Sequence, residues 1–165
     1  MINKMKKFYS SASSKLGFTL IELLVVIAII GVLAGVLVVV IDPLDKIRSA
    51  NDSGVVSTIT QVGRANDSYG TNHNNTYVGG TFAQSVTDLN TAGETKFTTI
   101  PAPTGYIFTY LPNPAACTTA LSTCTAYVYY TNLLSKKYAT TPYYVYANGK
   151  GCFNAAAPTL SFNCP

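Results

Sequence analysis

No acidic side chain follows Glu94, no tryptophan occurs anywhere, and histidine appears once, as His73. Each scarcity argues against a class of chemistry. Residues 95–165 cannot supply a carboxylate cage for calcium, because a hard cation needs several anionic oxygens. Histidine catalysis has a single candidate, and His73 sits in a run of Asn and Gly with no identifiable partner. No glycine-rich phosphate loop follows a strand pattern. The four cysteines have the wrong spacing for zinc and no histidine near them. The residues therefore point to no catalytic group, no cofactor and no metal.

Charge is also sparse, at 11% of the chain. It vanishes altogether from Leu23 to Ile41, nineteen residues without a charged, hydroxyl or amide side chain. At about 1.5 Å per residue they span about 28 Å as a helix, close to the roughly 30 Å hydrocarbon core of a bilayer. Four lysines (Lys4, Lys6, Lys7, Lys15) precede the run, which keeps the N-terminus on the cytoplasmic side and sends the rest across. Glu22 stands at the entrance of the span. A carboxylate at that depth is a functional residue by default, since it is costly to hold there unpaired. An ordinary secretory signal has the basic start but a shorter apolar core, and gives Glu22 no role. A plain membrane anchor explains the length but neither Gly17 nor Glu22.

The stretch Gly17-Phe18-Thr19-Leu20-Ile21-Glu22 with its apolar continuation resembles the class III signal of type IV prepilins and pseudopilins. The resemblance is specific over residues 15–41. It implies that a membrane-embedded prepilin peptidase cuts between Gly17 and Phe18 and methylates the new amine of Phe18. It also implies that Glu22 pairs with the Phe18 ammonium of a neighbouring subunit during assembly. Opposite charges at low dielectric gain from such pairing. Residues 1–17 are then a leader, and 148 residues remain.

The formal charge of +4 disappears with the leader lysines. What is left is divided: seven acids and three bases in residues 18–94, no acid and four lysines in residues 95–165. Such halves suit head-to-side contact between identical subunits, or reflect chance. Cys117, Cys124, Cys152 and Cys164 all lie in the outward part. An even count there reads as two disulfides in an oxidising compartment. Three connectivities are open; the local one, Cys117–Cys124 with Cys152–Cys164, is the simplest.

Asp42-Pro43 breaks the first helix and caps a second, because proline lacks the donor that an ongoing helix requires. The second section runs over about 44–69. Leu44, Ile47, Val55, Ile59, Val62 and Tyr69 form its apolar stripe with Asn51 and Asn66, and Asp52, Arg64 and Asp67 fall on the polar face. Gly54 and Gly63 read as sites of close packing. Residues 70–80 read as loop, and Phe82–Leu89 as a short helix. Strands are expected over Tyr106–Leu111, Ala126–Leu134, Tyr143–Ala147 and, after the turn signal Asn148-Gly149, Gly151–Phe153.

The fold class is α+β: a long N-terminal helix, transmembrane over 18–41 and amphipathic over 42–69, packed on a small antiparallel sheet within an extracellular head, 70–165. The resemblance implies a structural type IV pilus subunit, first in the cytoplasmic membrane and then in an extracellular filament. Its partners would be copies of itself, the peptidase and the pilus assembly platform. A pseudopilin of a secretion or competence system is the alternative within this class. Calcium sites are known in some pseudopilins, and the acid-free C-terminal part leans towards a pilus subunit. A single-pass surface-binding protein is the alternative outside it. Lys136 and Lys137 read as a soluble turn rather than a contact for nucleic acid.

Overall fold

The computed structural model describes residues 17–115, 117 and 124–165, apart from the side chain of Val39. The four leader lysines lie outside the described residues. The chain divides into two units, residues 1–41 and 42–165.

The first unit contributes α1, Leu20–Ile41. Its described large apolar side chains are between 48% and 83% exposed. Leu20–Val38 is long and apolar enough to cross a membrane.

The second unit opens with Asp42 in the left-handed region at φ 44°, a conformation that aspartate tolerates and most side chains do not. Asp42 accepts from the Asp45 N–H, and Pro43 takes the first position of α2, Pro43–Asn72. Then come α3 (Phe82–Thr91), β1 (Phe108–Asn113), β2 (Ala126–Asn132), a 3-10 turn (Lys136–Tyr138), β3 (Tyr143–Ala147) and β4 (Lys150–Asn154). The strands pair antiparallel in the order β1-β2-β3-β4. Left-handed Asn148 and Gly149 close the β3–β4 hairpin. The α+β architecture is as the sequence implied, with strand limits displaced by one or two residues. β1 begins late because the Ile107 N–H is taken by the Asn132 side chain at 2.7 Å. It runs through Pro112, which an edge strand allows. β2 stops at Asn132 because the Leu134 and Ser135 amides are drawn away to α2.

The core lies between α2, α3 and one face of the sheet. Val55, Ile59, Val62 and Tyr69 of α2 meet Tyr110, Tyr127, Tyr129, Tyr144 and Tyr146, with Val86 and Leu89 from α3. Each buried aliphatic side chain contributes about 1.5–3 kcal/mol. Gly63 permits the closest approach: a Cβ there would stand 2.1 Å from the Tyr146 ring. Gly54 faces open space, so the close-packing reading holds for one of the two glycines.

Three expectations for α2 are corrected. Leu44 and Ile47, read as part of the core stripe, are 65% and 59% exposed, because the sheet packs further along the helix. Asp52, assigned to the polar face, is fully buried. It accepts from the Tyr106 hydroxyl at 2.7 Å and from the Leu134 and Ser135 amides at 2.9 and 3.0 Å. Asp67, also assigned there, accepts the hydroxyls of Tyr127 and Tyr146. A second set of contacts joins Asp42 to the Lys136 ammonium and Asp45 to the Lys136 amide. One charge from each half thus pairs inside the subunit, Lys136 with Asp42, while Asp45, Asp52 and Asp67 hold neutral amides and hydroxyls from the C-terminal half.

Both described cysteine pairs are disulfides, Cys117–Cys124 and Cys152–Cys164. The first closes the link between β1 and β2, most of which lies outside the described residues. The second holds the C-terminal segment against the far face of the sheet, where Cys164 and Phe162 cover Val128, Val145 and Ala147.

Candidate processing and assembly site

Among the described residues, no atom outside its chain neighbours lies within 4 Å of where a Gly17 Cβ would be, and Phe18 is 85% exposed. Helical order begins immediately afterwards, for a local reason. The Thr19 N–H donates to Glu22 Oε2 at 2.9 Å, and the Thr19 hydroxyl donates to the same oxygen at 2.7 Å. The Glu22 N–H returns to Thr19 Oγ1 at 3.3 Å. This is a capping box, a Thr and a Glu three residues apart satisfying each other's backbone donors at a helix start. The chain uses the same device on α3, with Thr81 and Gln84.

The box revises the sequence reading of Glu22. One carboxylate oxygen already has work within its own chain; Oε1 accepts no hydrogen bond among the described residues. Glu22 therefore begins the helix and still presents one oxygen outwards. The signal stands in the sequence as Thr19-Leu20-Ile21-Glu22, a Thr and a Glu three residues apart just before an apolar run.

Outside this segment the residues give little chemistry. His73 lies, as an exposed residue, in the turn that caps α2: its ring stacks on Tyr69 at 3.9 Å, and Nδ1 lies 2.8 Å from the Tyr69 carbonyl oxygen. No group of three or more metal-ligating side chains occurs among the described residues. Lys136 pairs with Asp42 at the surface.

Residues 13–38 match the prokaryotic N-terminal methylation motif. No curated protein and no solved structure matches the chain. The matched segment is the class III signal of type IV pilins, a signal typically borne by structural proteins. It supports a type IV pilin-like or pseudopilin substrate of a prepilin peptidase, anchored in a membrane by α1.

Proposed function

We propose that the chain is a structural subunit of a type IV pilus. The peptidase removes residues 1–17 and methylates Phe18. The subunit waits in the cytoplasmic membrane with its head outside, and an assembly platform packs α1 of many copies into a filament core coated by the heads. Glu22 pairs there with the Phe18 ammonium of a neighbour. The observation carrying this reading is α1 itself: a motif-bearing helix whose described large apolar side chains are exposed along its length. The acid-free C-terminal part favours a pilus subunit over a calcium-holding pseudopilin.

N-terminal sequencing of the protein from sheared surface fibres tests the proposal. A methylated Phe18 in abundant fibres is expected. The same end confined to the membrane fraction would favour a pseudopilin, and an intact leader would return the chain to a plain anchor. Gly17→Val should block the cut, because the cleft must admit a residue without a side chain, and leave a precursor 17 residues too long on a gel. Normal-sized protein from that variant would contradict the assigned cleavage.

A further inference from the structure

Strand alternation gives the sheet two different faces. One packs on α2. On the other, the C-terminal segment covers Val128, Val145 and Ala147, pinned by Cys152–Cys164. It leaves the neighbouring part of that face open as a cleft of about 400 Å³, lined by Ile107, Thr109, Tyr130, Asn132, Tyr143 and Ala157. The register explains the grouping, since Thr109 lies opposite Tyr130 and Asn132 opposite Tyr143. The two tyrosine rings stand 6.2 Å apart at 68°, forming angled aromatic walls. Asn132 is fixed at both ends of its amide, accepting from Ile107 N–H and donating to the Gly105 carbonyl at 2.8 Å. The hydroxyls of Thr109, Tyr130 and Tyr143 have no hydrogen-bond partner among the described residues.

No lining residue carries a charge. Residues 97–135 and 138–149, which supply all of the lining but Ala157, contain no Asp, Glu, Lys, Arg or His. An anion or cation entering this cleft would lose water and find no counter-charge, which is costly. An uncharged ligand with C–H faces for the rings and hydroxyls at its edges meets no such penalty.

We propose that this cleft binds a neutral saccharide. Its volume is within the range of small-ligand sites. The proposal rests on the pilus reading only for its setting: with α2 turned to the filament core, the face bearing the cleft is the outer one.

Saturation-transfer NMR on the purified full-length chain, in a detergent without sugar groups, tests it directly. The probes are uncharged mono- and disaccharides, their uronic acid counterparts, and an uncharged peptide copying residues 155–161. Transfer to a neutral saccharide is expected, and about tenfold weaker binding in Tyr130→Ala and Tyr143→Ala. Tyr130→Phe and Tyr143→Phe should keep most of it, as should Lys96→Ala elsewhere on the head. Thr109→Lys, which brings a charge into the cleft without removing a ring, should abolish it and covers the case in which a ring deletion unfolds the head. No transfer to any neutral saccharide, equal transfer to the uronic acids, transfer to the peptide alone, or undiminished transfer in Thr109→Lys would each overturn the proposal. Dispersed subunits are used, so a negative result leaves the pilus reading intact, and a failure of processing leaves the cleft to be judged on its own.

Discussion

The two long helices of this chain solve opposite problems. In α1 every described large apolar side chain is exposed. In α2, a helix of 30 residues and far more polar, nine residues are buried, two of them Asp52 and Asn66. Apolar composition therefore does not mark the helix that the subunit uses to fold. α2 gains its place through a short run of apolar positions and through acids that gather donors from the sheet and its loops. α1 carries an apolar surface long enough to lie in lipid and, on the proposed reading, later against other copies.

That contrast breaks if changes in the head leave folding untouched, or if changes in α1 disturb it. The largest effect is expected at Asp52. Asp52→Ala leaves the Leu134 and Ser135 amides and the Tyr106 hydroxyl without their acceptor in a buried place, a loss of about 4 kcal/mol at roughly 1–3 kcal/mol per group. Urea unfolding of the full chain, followed by tyrosine signals, reads it. The same residue gives a pH dependence. Burial pushes the Asp52 carboxyl up, but its donors Ser135, Leu134 and Tyr106 pull it further down, and the net value lies below the ordinary 3.8. A depressed folded pKa stabilises the head fully above the unfolded value, and that contribution is lost as pH falls through the lower, folded one. Asp88 has the opposite sign, because burial raises its carboxyl. The expected profile is a head that loses stability below about pH 4, with a shallower fall in Asp52→Asn.

Opening Cys152–Cys164, which spans a separation of 12 residues, should cost about 3 kcal/mol by the chain-entropy estimate. It should also release the C-terminal segment from Val128, Val145 and Ala147, seen as faster amide exchange in that segment. Non-reduced mass analysis should find no free thiol. Gly63→Ala is expected to cost about 2 kcal/mol, since the added methyl meets the Tyr146 ring and pulls that residue from Asp67. Gly31→Ala and Gly35→Ala sharpen the comparison from the other side. Both positions face open space, so head stability should not change in either. A matching loss from Gly31→Ala would mean that α1 takes part in folding the subunit after all.

The contrast also marks what could be read from residues alone. α1 was legible because its whole length is apolar, and the buried part of α2 because Val55, Ile59 and Val62 repeat at helical spacing. Asn148-Gly149 placed the β3–β4 turn through its backbone preference. The buried acids were not legible. The donors to Asp52 lie 54 to 83 positions away in sequence, and those to Asp67 lie 60 and 79 away. No local pattern distinguishes such an aspartate from one on a solvated face. Leu44 and Ile47 failed for the same reason reversed: the stripe continued in sequence where the sheet that would cover it did not. Thr19 and Glu22 were different, a local signal three residues apart that could have been recognised as a helix start.

The capping box makes Glu22 the place where the account can be tested most directly. Glutamine can occupy the third helical position and keep the Thr19 contacts while removing the charge; alanine removes both. If Glu22 serves only to begin α1, Glu22→Gln should behave as the parent and Glu22→Ala should be defective. If it pairs with a neighbour's Phe18 ammonium, both variants should insert, be cut after Gly17 and remain in the membrane, because the unpaired ammonium is left at low dielectric. The measurement is the amount of subunit in membrane and sheared-fibre fractions for the parent and the two variants. The account predicts mature protein in the membrane and no fibres from either variant. Fibres of normal abundance built only from Glu22→Gln subunits would contradict it.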